Sequence, residues 1–297
     1  PAASVWRGPG APHAGGERVT IRVVVAGVTG RMGQALVRAA SETQDVAVVG
    51  GVGRRRVGED VGLVAGCGPL GVPVMGSLEE ALDQTNPHVL VELSTAEAAP
   101  EHVEAALRRG LPAVVGTTGI EPRRLEELAG LARERGLGLV VAPNFAIGAV
   151  LLMRFAEEAA RYFPAVEIIE LHHGQKRDAP SGTALETARR VAAARGPGGA
   201  EAAASGEQAL ARGLSVQGVP VHSVRLPGLV AHQEVIFGLD GQTLTLRHDA
   251  TTRDAFMPGL LLAIRRVQSL QGPVFGLDPL LFPTEPSSSG QGPVPGQ

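Results

Sequence analysis

Residues 21–33, IRVVVAGVTGRMG, decide how the chain begins to fold. Ile21 to Val25 is a β-branched run that reads as a strand. Gly27, Gly30 and Gly33 follow at GxxGxxG spacing, and Met32, Ala35, Leu36 and Ala39 then share one side of a helix. A strand, a glycine turn and an amphipathic helix in that order allow backbone to approach a pyrophosphate, with the helix start offering N–H groups to the anion. Gly27, Val28, Thr29, Gly30, Arg31, Met32 and Gly33 are therefore candidate dinucleotide contacts.

A second strand, Val46 to Val49, leads to the place where an NAD-selective fold keeps an acid for the ribose hydroxyls. The chain has none there: residues 50–56 read GGVGRRR, with Gly53 at the expected acid. Arg54, followed by Arg55 and Arg56, lies where a 2′-phosphate would sit, a pattern that favours NADPH. Strand and helix signals then alternate: Val89–Leu93, a helix near 97–109, Ala113–Val115, a helix near 122–135, and Leu139–Val141. This is a mostly parallel sheet covered by helices, a Rossmann-type α/β unit.

From Ile147 to Phe163 an apolar helix carries the chain out of that unit. Strands at Val219–Arg225, Val230–Leu239 and Gln242–Asp249, with turns at Gly228 and Asp240-Gly241, join one at Val166 in a mixed or antiparallel sheet. A helix from Leu260 to Leu270 and the segment Phe275–Leu277 return to the first unit. The expected division is 20–145 with 252–284 for the nucleotide, and 146–251 for an inserted α+β substrate and oligomerisation unit. Residues 1–19 and 285–297 read as a disordered extension and a flexible tail, and 195–215 as helix ends with a mobile loop.

Composition narrows the classes. Only 9 aromatics stand among 297 residues, so the cores are built from Val, Leu, Ile and Ala. A formal charge of -3 argues against wholesale nucleic-acid binding, and the single Cys67 excludes an intrachain disulfide. The most apolar stretch, Leu137 to Met153, is broken by Pro143 and Asn144, so no membrane span is expected. A cytoplasmic location is expected for a bacterial source. Two arginines against Glu17 alone in the first nineteen residues leave a plastid-targeting remnant open.

The chemistry concentrates in residues 167–185, EIIELHHGQKRDAPSGTAL. A strand ends at His172 and His173, and the turn Asp178-Ala179-Pro180 delivers Ser181, Gly182 and Thr183 to a helix start. Lys176 is the only lysine in the chain; the other 26 basic residues are arginine. Imidazoles that titrate near neutrality beside an ammonium and free helix-start N–H groups make a site for an anion next to a proton donor. A metal site is not expected, since adjacent histidines do not converge on one ion and no ligand set is completed nearby.

The run HHGQKRDAPSGTAL, preceded by Glu170, resembles the signature of the 4-hydroxy-tetrahydrodipicolinate reductase (dihydrodipicolinate reductase) family, and further matches extend over about residues 21–283. The resemblance implies an NAD(P)H-dependent enzyme of lysine biosynthesis acting on a cyclic dicarboxylate. His172 is then the general acid; His173 and Lys176 position the substrate, and Lys176 with Ser181, Gly182 and Thr183 neutralises a carboxylate. Arg225 falls in the segment implied to approach the substrate side. The resemblance also sets Gly116, Thr117 and Thr118, and Pro143, Asn144 and Phe145, against the cofactor. It implies that both nicotinamide cofactors are accepted, so that with the arginines after Gly53 the expectation is NADPH preferred and NADH accepted. It also implies a homotetramer built through the second sheet, on whose alternate positions Val219, Val221, Val230, Val235, Phe237 and Leu239 are apolar. One departure stands out: Glu92-Leu93-Ser94 replaces the usual Asp-Phe-Thr. Competing readings are another dehydrogenase of this architecture and a non-catalytic NAD(P)H sensor.

Overall fold

The structure, a computed structural model, describes residues 20–196 and 211–283. The expectations for 1–19, 284–297 and most of the 195–215 excursion lie outside the described residues. The first sheet is built from β1 (Ile21–Ala26), β2 (Val46–Val52), β3 (Val74–Met75), β4 (Val89–Glu92), β5 (Ala113–Val115), β6 (Leu139–Val141) and β12 (Pro273–Phe275). Its order is β12-β6-β5-β4-β1-β2-β3, and every pairing is parallel. Because both faces are covered, the strands are continuous apolar runs: Val23, Val25 and Val91 face one way, Val24, Ala26 and Leu90 the other, and all six are fully buried.

On one face lie α1 (Arg31–Ser41) and α8 (Met257–Val267), with Leu36, Leu260 and Ile264 in the core. On the other lie α3 (Leu78–Thr85), α4 (Ala99–Arg108) and α5 (Pro122–Glu134). Proline occupies the first helical turn of α4, α5 and α8, where its missing N–H costs no ladder bond. β2 runs through Gly50 and Gly51, beyond the expected Val49, because both glycines pair with β1. α3 has no counterpart among the elements expected from the sequence, and neither have α2 (Val61–Ala65) and β3. The Asp60 carboxylate organises the latter two by accepting from the N–H groups of Gly62, Leu63, Leu70, Gly71 and Val72.

Between β6 and β12 the chain makes a second, mixed sheet of order β11-β10-β7-β9-β8. Its strands are β7 (Ala165–His172), β8 (Leu214–Val216), β9 (Val219–Arg225), β10 (Ala231–Leu239) and β11 (Gln242–Ala250). The hairpin at Asp240-Gly241 is as expected: Leu239 pairs with Gln242, and Gly241 has φ +81°. Two helices, α6 (Ile147–Ala159) and α7 (Gly182–Arg195), cover one face.

This corrects the expected assembly surface. Val219, Val221, Val235 and Phe237 are at most 2% exposed because Leu152 and Ala156 of α6 and Ala188 and Val191 of α7 pack on them. Val230 lies outside β10, and Leu239 is exposed at the hairpin end. The face without helices carries the opposite set, including Ile169, Leu171, His222, Val224, Glu234 and Ile236, all partly exposed. No described helix is long and apolar enough to cross a membrane. α9 (Asp278–Leu281) closes the described chain, and its Asp278 takes a two-toothed ion pair from Arg190 of α7, at 2.6 and 3.3 Å.

Candidate active site

Alternation along β7 turns Val166, Ile168 and Glu170 toward the helices, so the strand carries a carboxylate into a fully buried position. Left alone, that charge would be expensive. Arg225, the register partner of His172 on β9, supplies a fork: Nη1 donates to Oε2 at 2.8 Å and Nη2 to Oε1 at 2.7 Å. The Ser181 N–H adds 3.1 Å to Oε1, and His172 Nδ1 lies 2.5 Å from Oε2. Burial pushes the Glu170 pKa up, but hydrogen bonds from His172, Arg225 and Ser223 outweigh it and leave the value at about 2. A carboxylate only accepts, so Nδ1 of His172 carries the proton in this contact, and Nε2 is the ring nitrogen left for other chemistry.

Arg225, implied to approach the substrate side, turns both Nη groups to Glu170 and to backbone carbonyls. Besides Glu170, its Nη2 donates to the Asp178 carbonyl at 2.7 Å and its Nη1 to the Val224 carbonyl at 2.8 Å. Both Nη groups are thus engaged, while Nε is buried without a hydrogen-bond partner among the described residues. The Ser181 hydroxyl is likewise committed, since it caps α7 by accepting from the Ala184 N–H at 3.2 Å in a side chain 3% exposed. Gly182 is exposed at the same helix start, and Thr183 Oγ1 accepts from Asn144 Nδ2 at 3.2 Å, tying α7 to the end of β6. Lys176 Nζ rests on Asp178, at 2.9 and 2.8 Å from its two oxygens.

His173 has the opposite surroundings. Its Nδ1 is buried without a partner among the described residues. Burial lowers its pKa, and the positive charges of Arg253, Arg31, His172 and Lys176 lower it further. Arg31 opens α1 in the first unit and Arg253 lies in the 3-10 turn before α8, so His173 sits where the two sheets' loops meet. An imidazole ringed by cations is a place for an anion. Arg253 was not foreseen; only the return of the chain from the second sheet brings it here.

At the glycine turn the geometry fits a dinucleotide. Gly27 has φ +80°, and a Cβ there would stand 2.5 Å from the Leu93 carbonyl oxygen; one on Gly33 would stand 2.4 Å from the Gly27 carbonyl oxygen. Gly30 precedes α1 in extended conformation without a side-chain cap, which leaves first-turn N–H groups for a phosphate. Val28 is fully buried, so its side chain packs and only its backbone borders the turn; Met32 is half-buried against the core. Arg31 and Arg54 are exposed, and Arg56, exposed as well, pairs with Glu59 at 2.7 to 3.1 Å.

Thr118 and Pro143 are exposed at the ends of β5 and β6, with Gly116, Thr117 and Asn144 half-buried between them. Phe145 is 2% exposed and belongs to the core beneath that rim. The departure at Glu92 has an internal answer: it is fully buried, with Oε2 at 2.7 Å from His102 Nδ1 and Oε1 accepting from the Ser94 N–H at 2.6 Å. An acid closing the apolar strand VLVE was its only sequence signal.

The comparisons agree with this geometry along the whole described chain. The profile of the dihydrodipicolinate reductase N-terminus matches residues 21–145, and that of the C-terminus matches 148–281. A 4-hydroxy-tetrahydrodipicolinate reductase of Moorella thermoacetica is 54% identical over 262 residues, covering 88% of this chain and 98% of the relative. One from Geobacillus kaustophilus is 46% identical, covering 89% and 100%. Among solved structures, a dipicolinate-bound dihydrodipicolinate reductase from Paenisporosarcina sp. TG-14 superposes with TM-score 0.76 at 41% identity, covering 88% of this chain and 99% of that one. Matched in both halves, and carrying a glycine turn and a histidine–lysine site in one molecule, the chain belongs to the dihydrodipicolinate reductase family.

Proposed function

We propose that the chain reduces (2S,4S)-4-hydroxy-2,3,4,5-tetrahydrodipicolinate to 2,3,4,5-tetrahydrodipicolinate and water, with NADPH preferred and NADH accepted. The observation that carries the reading is His172: its Nδ1 is fixed by buried Glu170, which leaves Nε2 to donate a proton, and His172 and Lys176 both act on His173 through their charge. The bound dihydronicotinamide supplies the hydride; loss of the 4-hydroxyl as water leaves the ring electron-poor to receive it. His172 Nε2 delivers the balancing proton, while its Nδ1–H stays on Glu170 and holds the ring in one orientation.

Two carboxylates need two cationic anchors. Lys176 exchanges Asp178 for one of them, together with the N–H groups at Gly182 and Thr183. His173, placed among Arg31 and Arg253, borders the other end of the site. The division into a nucleotide part, 20–145 with 252–284, and a substrate part, 146–251, belongs to the same proposal, as does a homotetramer through the face of the second sheet without helices.

His172→Gln tests the reading. Turnover is expected to fall by about 10² or more with cofactor affinity unchanged, followed by absorbance of the nicotinamide with the hydroxy-diacid generated in a coupled reaction. Equal turnover in the variant, or better turnover of a simple 2-keto acid by the wild type, defeats it.

A further inference from the structure

The order of the first sheet reverses between β1 and β4, and ligands of such sheets lie beyond the strand ends at that reversal. Glu92 ends β4 there, paired with Ala26 at the end of β1. A carboxylate in a fully buried position draws donors from both sides. The Ser94 N–H lies 2.6 Å from Oε1, and the Thr117 hydroxyl donates to Oε1 at 3.3 Å and to the Glu92 carbonyl at 3.4 Å. His102 Nδ1 occupies Oε2 at 2.7 Å, and this hydrogen bond raises the His102 pKa against its partial burial, helped by the charges of Glu92, Glu79 and Glu101.

The polarity of this network is fixed by chemistry. Carboxylate and carbonyl oxygens only accept, so the Thr117 hydroxyl gives its proton to Glu92 and keeps its lone pairs for another donor. Arg54 beyond β2 marks the adenosine end of the crevice. The other half of a dinucleotide therefore crosses to β4, β5 and β6, whose ends hold Ser94, Thr117 and Asn144. The group with N–H donors in that half is the nicotinamide carboxamide.

We propose that Glu92, backed by His102, is a positioning residue for the nicotinamide: it takes the Thr117 proton and the Ser94 N–H, locks the ends of β4 and β5 together, and turns the Thr117 oxygen to receive the carboxamide N–H. The ring is thereby held at one angle about its glycosidic bond. This rests on the cofactor site described above and deepens it.

Calorimetric titration with NADPH and with its reduced 3-acetylpyridine analogue, whose methyl ketone lacks the amide N–H, separates this role from a merely structural one. Thr117→Val and Glu92→Ala are each expected to weaken NADPH roughly tenfold while changing the analogue by no more than about twofold, the size of one lost hydrogen bond. Glu92→Asp, which keeps the carboxylate, restores most of the loss. Equal weakening of both nucleotides, or undiminished NADPH affinity in Thr117→Val, overturns the proposal. Should Glu92→Ala not fold, Glu92→Gln keeps the side-chain shape but offers one acceptor oxygen where two are used; selective loss of NADPH affinity is expected there too, and unchanged affinity removes Glu92 from the role. A wild type that binds neither nucleotide would instead sink the cofactor site itself.

Discussion

Glu170 shows how far single residues were legible. The run His172, His173 and Lys176 could be read because its members are neighbours in sequence. Arg225 could not be oriented, because its fork closes on Glu170 across 55 positions and only the β7–β9 register brings the two together. The same contact has a consequence for acid stability. Glu170 sits at about 2 in the fold against an ordinary 4.5, a lowered value, so the stabilisation is fully present above about 4.5 and is lost as pH falls toward 2. Urea midpoints measured from pH 5 to pH 2 are expected to drop more steeply for the wild type than for Glu170→Gln, which has no carboxylate to protonate there. Parallel curves would mean that the ion pair adds nothing.

Among elements, the glycine turn was readable because its strand, spacing and helix are contiguous. The covered face of the second sheet was not: alternation in β9 and β10 says that two faces differ, but α6 and α7 decide which is inside. α2 and β3 leave no periodic signal in the sequence because they are 5 and 2 residues long and depend on the Asp60 carboxylate. The loop after β2 makes a sharper prediction now that Arg56 is engaged by Glu59. With the acid absent at Gly53, a 2′-phosphate bound there would meet Arg54, alone or with Arg55. Arg54→Ala is expected to lower kcat/KM for NADPH by about 10-fold, one charge-assisted contact, and to leave NADH nearly unchanged. Steady-state comparison of the two cofactors decides it, and equal losses would make the arginines a solvated loop.

For the whole molecule, the bare face of the second sheet pairs apolar Ile169, Leu171, Val224 and Ile236 with ordered charge: His232 with Asp249 at 2.6 Å, and Arg247 with Glu234 at 3.1 Å. Light scattering at micromolar protein is expected to give about four times the 30.6 kDa of one chain, and Ile236→Arg, at the centre of that face, to shift it to smaller species; a wild type at the mass of one chain refutes the tetramer. The position of β12 has a different consequence, which concerns synthesis. The parallel sheet is begun by β1 at Ile21 and finished at its far edge by β12 at Phe275, and Leu260, Ile264 and Leu277 of its core arrive late as well. On the ribosome, therefore, the second sheet is complete in the nascent chain before the first can be. The first sheet waits, one edge open, until β12 has followed.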